Sequence, residues 1–182
     1  MPRFPVHTVE NAPEASQAAL EATQRKFGTV LNIMGEMAHA PVVLATYAAM
    51  TQAIAGHGSF DAATREAIAL AVGNQDGCAY CQSAHTLSAR QAGLTEQQTV
   101  DIRGGNAGFD ARLDALLAVA RHIAADAGNV PDEAYERARK EGWSEEQLAE
   151  LFAHVAVNIF TNYFNHYART ELDIPAAPGI TT

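Results

Sequence analysis

Alanine recurs through nearly every apolar segment of this chain, and strict two-residue alternation of β-branched residues is missing from all of them. Apolar positions return at helical intervals instead, so the sequence predicts helices throughout and an all-α fold. Breakers and caps delimit the pieces. Asn11 and Pro13 open a helix reaching about Lys26, and a short helical turn follows over 30–37. Pro41 starts a helix in which Val42, Val43, Leu44, Tyr47, Met50 and Ile54 form the apolar stripe, ended by Gly56. Ser59 or Asp61 caps a helix over 62–73, a polar NQDG stretch stops it, and an uninterrupted helix runs over 78–91. Further helices are expected over 110–127, 132–141 and 145–167.

Two joints share one grammar. The segments ARQAGLTEQQTVDI (89–102) and ARKEGWSEEQLAEL (138–151) each hold a helix end, a glycine, and then Thr or Ser with Gln three residues on. The glycine is a left-handed C-cap and the hydroxyl-x-x-Gln pattern a capping box for the next helix. Internal helical duplication accounts for the match, as do two independent joints built alike. The loop RGGNAG (103–108) lacks the Lys and Ser/Thr of a phosphate cradle and reads as structural.

With 182 residues, 48% of them hydrophobic, the chain can bury one proper core. It is read as a single domain over 1–182, with a motif-bearing core at about 41–102, C-terminal helices over 110–167, and a breaker-rich tail over 174–182 that is either loose or packed on a neighbouring subunit. Twelve basic against 21 acidic residues leave a formal charge of −9. That balance gives no electrostatic reason to hold nucleic acid or an anionic membrane face. Residues 1–10 lack the apolar stretch of a secretory signal, and charged or polar residues interrupt every run before it reaches membrane-spanning length. A cytoplasmic location is expected, where thiols stay reduced.

The chemistry is concentrated in Cys78-Ala-Tyr-Cys81-Gln-Ser-Ala-His85. A disulfide closing so small a loop constrains almost none of the unfolded chain, so the pair serves chemistry rather than folding. Thiols in the first turn of a helix have their thiolates favoured by the dipole and by unpaired N–H groups, and the C-x-x-C spacing lets one sulfur resolve the other after oxidation. His85, four residues after Cys81, can accept or relay its proton. Glu66, twelve residues ahead of Cys78 on a segment dominated by Ala, Ile and Leu, is suited to act as base or relay. Competing readings are a zinc site from Cys78, Cys81, His85 and Glu66, or two cysteines merely buried in a core. Haem attachment fails because Gln82, not His, follows the second cysteine.

Glu66 followed by CAYCQSAH, flanked by REAIALAVGNQDG and a helix ending in AGLT, resembles the carboxymuconolactone decarboxylase superfamily, specifically its alkylhydroperoxidase (AhpD-like) branch. The resemblance spans 41–102, about a third of the chain. It implies an all-α bundle assembled into homo-oligomers, trimers or hexamers, and thiol-dependent reduction of a hydroperoxide without metal or other cofactor. It further implies Cys81 as the peroxidatic sulfur, Cys78 as the resolving one, Glu66 and His85 as the proton relay, and an external dithiol or protein thiol as reductant. In the characterised type that reductant is a lipoyl-bearing adaptor. One departure is clear: Tyr80 stands where that type has a histidine just before the second cysteine, and its hydroxyl could hydrogen-bond a sulfur or a peroxide oxygen.

A second cluster lies in the last helix, where Asn158, Asn162 and Asn165 form one stripe with His166 beside it. Three asparagines inside a helix are unusual. They suit a polar substrate wall including Tyr80, Asn162 and His166, with His166 as a proton shuttle, or a hydrogen-bonded subunit contact, the reading favoured here. His39, His57, His122 and His154 are separated singles, Met34, Met37 and Met50 fall at core positions, and Trp143 is expected to pack a joint. Against the thiol peroxidase stand a redox-sensing or binding subunit without turnover, and a cysteine-independent lactone decarboxylase.

Overall fold

The computed structural model describes residues 1–180, in which the chain forms nine helices and no strand. They are α1 (Glu14–Phe27), α2 (Asn32–Met37), α3 (Pro41–His57), α4 (Ala62–Gln75), α5 (Ala79–Gln91), α6 (Glu96–Arg103), α7 (Ala111–Ala125), α8 (Asp132–Lys140) and α9 (Glu145–Ala168). The all-α expectation holds, with boundaries within a few residues of those read from the caps. Asp61, not Ser59, caps α4 by accepting the Thr64 N–H at 2.7 Å. Both repeated joints form as written: Thr95 with Gln98 and Ser144 with Gln147 are complete capping boxes, and Gly93 and Gly142 precede them with φ of +102° and +90°. Each such cap stabilises its helix by about 1 kcal/mol.

The bundle is organised around α4, which packs against α5, α6, α7 and α9. Its residues Ala67, Ile68, Ala69, Leu70, Ala71, Val72 and Gly73 are all buried, the mark of a helix enclosed on every side. One core joins Ile68 and Leu70 to Ile102, Leu116, Leu117 and Leu151. Trp143 closes its edge, with Phe60 edge-on at 5.5 Å and its ring N–H donated to the Arg112 carbonyl. A second core gathers Leu20, Ile33, Met34, Met37 and Leu44, and into this one the chain inserts Cys78, Tyr80 and Cys81. The thiols therefore sit in an apolar seam between the N-terminal helices and α9.

One expectation is refined and one corrected. Of the apolar stripe assigned to α3, Leu44 is buried and Val43, Tyr47, Met50 and Ile54 are half-buried, whereas Val42 is 71% exposed. The tail is not loose through residue 180. Ala177 is buried and donates its N–H to Ser83 Oγ at 3.1 Å, while the Pro178 carbonyl accepts from Arg103. This segment straps over α5 and α6 of its own chain; residues 181–182 lie outside the described residues. No described helix is long and apolar enough to cross a membrane.

Candidate active site

Local geometry puts the first thiol where a capping side chain belongs. After α4 the chain reverses at Gly77, whose φ of +66° favours glycine, and the Cys78 N–H returns to the Gly73 carbonyl at 2.9 Å. Cys78 is then the N-cap of α5, and its Sγ accepts the Cys81 N–H at 3.2 Å. Sulfur here does what a Ser or Asp oxygen does elsewhere, facing the unpaired donors and the positive end of the helix dipole. Both cysteines are free thiols and both are buried.

From α9, the amide nitrogen of Asn165 reaches Cys81 Sγ at 3.1 Å and Cys78 Sγ at 3.7 Å. The two thiols then part company. Cys78 is lowered to about 7, chiefly by the hydrogen bond from the Cys81 thiol, against the opposing effect of burial, with help from the Cys81 N–H, Asn165 and the charge of His166. Cys81 is pushed well above the ordinary thiol value, first by burial and then by the hydrogen bond and charge of Cys78. The surroundings favour the charge on Cys78 and the proton on Cys81, whereas the family resemblance implies Cys81 as the attacking sulfur. The physical reason is position: only the capping sulfur faces the helix dipole and a backbone donor.

Glu66 and His85 meet as the sequence suggests, with Glu66 Oε2 at 2.7 Å from His85 Nδ1 across the α4–α5 contact. Neither sulfur is bonded to His85; their partners among the described residues are one another, the Cys81 N–H, Asn165 and, for Cys81, the Thr161 side chain. Tyr47 of α3 packs against the second core, near enough to Cys81 and Glu66 for their charges to act on it. Its phenol is raised by burial first and then by the charges of Cys81 and Glu66, so it keeps its proton while facing both. Sequence reading placed Tyr47 only in an apolar stripe. It also left Asn165 unassigned within the asparagine run, although an amide at helical spacing from Asn158 and Asn162 was the available signal.

Three sequence candidates go elsewhere. Tyr80 does not approach a sulfur through its hydroxyl, which donates to Asp173 Oδ1 at 2.7 Å and is held protonated by burial and that carboxylate. Asn162 donates to Asp76 Oδ2 at 2.7 Å, and His166 Nε2 bonds the Asp76 carbonyl at 2.9 Å. Asn158 donates to the His154 carbonyl. The stripe thus faces the α4–α5 turn of the same chain, which corrects the expected subunit contact. It fixes the turn from which Cys78 projects. The zinc reading loses its geometry, since no group of three or more His, Cys, Asp or Glu converges among the described residues.

Residues 41–122 match the carboxymuconolactone decarboxylase family. That match takes in somewhat under half of the chain. Its fold is AhpD-like: a peroxidase-related AhpD-core protein of Ralstonia eutropha superposes with a TM-score of 0.85 at 22% identity, over 94% of this chain and 92% of that one. The debrominase Bmp8, solved in complex with 2,3,4-tribromopyrrole, superposes at 0.78 with 19% identity over 96% and 92%. Among curated proteins, YdfG of Bacillus subtilis, itself uncharacterized, is 36% identical over 96 residues. That alignment covers 51% of this chain and 65% of YdfG, just under two thirds of its length. Glu66, Cys78, Cys81 and His85 all fall inside the family match, whereas Asn165 and Asp173 lie beyond it.

Proposed function

We propose that this protein is a thiol-dependent peroxidase or disulfide oxidoreductase acting through Cys78 and Cys81. The observation that carries the reading is the Cys78 sulfur at the α5 N-cap, its charge supported by the Cys81 thiol, the Cys81 N–H and Asn165, within one neighbourhood of the Glu66–His85 dyad. The Cys78 thiolate attacks the terminal oxygen of a hydroperoxide; the O–O bond breaks, and the alkoxide leaves as alcohol after taking a proton from Tyr47 or the dyad. The sulfenic acid on Cys78 then condenses with the Cys81 sulfur, whose proton passes toward the dyad, giving a disulfide and water. An external dithiol or protein thiol restores both thiols by exchange. No metal or organic cofactor enters this cycle.

Assembly into a homo-oligomer, a trimer or hexamer as the resemblance implies, belongs to the same proposal. Its support is the apolar surface left outward at Val42 of α3 and Phe152 of α9, 71% and 60% exposed.

The test is intact mass and free-thiol titration of the reduced protein before and after one equivalent of an organic hydroperoxide. The expected result is loss of both thiols with loss of two hydrogen atoms, a sulfenic acid trapped on Cys78 in Cys81→Ser, and none in Cys78→Ser. A sulfenic acid trapped on Cys81 instead restores the order of the resemblance. Steady peroxide turnover by a double Cys→Ala variant would overturn the proposal and return the cysteine-independent decarboxylase. Consumption that stops at one equivalent despite excess dithiol would leave a redox sensor.

A further inference from the structure

Only one end of the Asn165 amide has a partner. Its Nδ2 lies 3.1 Å from Cys81 Sγ and 3.7 Å from Cys78 Sγ. Its Oδ1 is buried and has no hydrogen-bond partner among the described residues. Native proteins rarely leave a buried carbonyl oxygen without a donor, because the group has then lost its hydration and gained nothing in exchange.

Covalent geometry fixes where that oxygen is. With C=O and C–N bonds of about 1.2 and 1.3 Å, the two heteroatoms of one amide are about 2.3 Å apart. Oδ1 is therefore no farther than about 5.4 Å from Cys81 Sγ and about 6 Å from Cys78 Sγ. An oxygen poised for attack sits about 3–3.5 Å from its nucleophile, and an O–H donor about 2.5–3.0 Å from its acceptor. One peroxide oxygen can thus meet Cys78 Sγ and Asn165 Oδ1 at once.

Bulk water offers that oxygen no other acceptor. Cys78 and Cys81 are 1% and 3% exposed, so a hydroperoxide that reaches them has left solvent behind and its O–H must be met inside the protein. The other polar groups around the sulfurs are engaged. The Cys81 N–H is a donor already bonded to Cys78 Sγ. The Thr161 hydroxyl turns back on the carbonyls of Asn158 and Val157, and Tyr47 holds a proton for the departing alkoxide. Asn162 Oδ1 is also without a partner, but that amide is spent on Asp76 at the turn rather than on a sulfur.

We infer that Asn165 Oδ1 accepts the O–H of the oxygen that Cys78 attacks. Asn165 thereby selects hydroperoxides, which carry a proton on the reacting oxygen, over electrophiles that carry none. The inference rests on the thiol-peroxidase reading above. As the S–O bond forms and the O–O bond breaks, the sulfur is oxidised, and the electron pair leaves with the alkoxide, which is protonated to the alcohol. The proton on the attacked oxygen stays where it is. The sulfenic acid on Cys78 inherits the same hydrogen bond, so Asn165 touches substrate and product alike.

The test compares tert-butyl hydroperoxide with methyl methanethiosulfonate, which reacts with the same thiolate but has neither O–H nor N–H. Each is mixed with the reduced full chain under single-turnover conditions across a pH series. Plateau rate constants are compared, where the sulfur is fully ionised and any change in its titration drops out. Asn165→Ala should lower the ratio of hydroperoxide rate to thiosulfonate rate by about tenfold. Asn165→Asp keeps an acceptor oxygen in place and should hold that ratio within about threefold of wild type. A ratio unchanged in Asn165→Ala leaves Oδ1 to a buried water and overturns the inference. An equal loss of ratio in both variants overturns it too, since the acceptor oxygen would then have made no difference. Failure of the underlying reading looks different: wild-type protein that takes the thiosulfonate and ignores the hydroperoxide removes the peroxidase and this inference together.

Discussion

The side-chain amide of Asn165 lies 3.1 Å from the sulfur of Cys81, joining α9 to the first turn of α5 across 84 residues of sequence. It is one of the few polar groups that reach the thiol pair, and it touches both sulfurs. Replacing it by alanine removes a donor that favours the charged form of Cys78. Asn165→Ala should raise the Cys78 thiol by about one pH unit, equivalent to about 1.4 kcal/mol. Alkylation by iodoacetamide at neutral pH should slow by severalfold, with the midpoint of its pH profile moved upward. An unchanged profile would show that the amide positions the turn and leaves the charge alone.

The wild-type pH dependence follows from the same site. Cys78 is held at about 7 against an ordinary thiol value of 9.0. Its reactive form is the anion, so reaction with hydroperoxide is lost as pH falls through about 7 and levels off above it. Stopped-flow peroxide reduction under single-turnover conditions reads this directly. A midpoint near the ordinary thiol value would mean that the capping position does not hold the charge.

The Glu66–His85 dyad contacts neither sulfur, so its removal should separate the two chemical steps. In His85→Gln or Glu66→Gln the proton of Cys81 has lost its destination, and disulfide closure should slow by about 10²-fold, the lower range for a positioned acid–base group. The first attack by Cys78 should change little, because Tyr47 remains to supply the proton that the alkoxide takes. A dimedone trap should therefore accumulate adduct in these variants and almost none in the wild type. Equal slowing of both steps would assign the dyad to substrate binding instead.

Stability rests on a different carboxylate. Glu150 of α9 accepts from Ser59 N–H at 2.9 Å, from the Ser59 hydroxyl at 2.6 Å, from Phe60 N–H at 3.3 Å and from His154 at 3.1 Å. It thereby ties the entry of α4 to α9. Burial works against its charge, but these donors outweigh it and hold the carboxyl below its ordinary value. Glu150→Ala should cost about 1–2 kcal/mol at neutral pH by leaving the buried Phe60 N–H and His154 without their acceptor, Ser59 being open to water. A depressed carboxyl stabilises the fold above its unfolded value and loses that contribution as pH falls through the folded one. The melting difference between wild type and variant should accordingly shrink by about pH 3.

The fold was legible because its signals are local. Asp61, Thr95 with Gln98, and Ser144 with Gln147 announce helix starts by chemistry confined to four residues, and the structure keeps each of them. Glu66 and His85 were legible for a similar reason, each carried by a neighbouring helix of a recognisable motif. What the sequence hid is set by tertiary choice. Tyr80 turns to Asp173 because the C-terminal segment folds back over α5, and no local pattern encodes that return. Tyr47 was legible as a member of the α3 stripe, but its place near Cys81 and Glu66 is set by how α3 packs, which no local pattern encodes. The charge on Cys78 rather than Cys81 depends on which sulfur becomes the N-cap, a matter of one residue in the boundary of α5.

That same α3 has one buried side chain among its 17 residues. A helix so lightly held opens at lower free energy than the enclosed α4, and its amides will lose protection to deuterium well before those of 67–73. Tyr47 travels with it. In the unassembled chain an opening of α3 would carry Tyr47 out of the seam that holds the sulfurs, so the reactivity of the dithiol is expected to track the exchange of the α3 amides and to slow where assembly covers that helix.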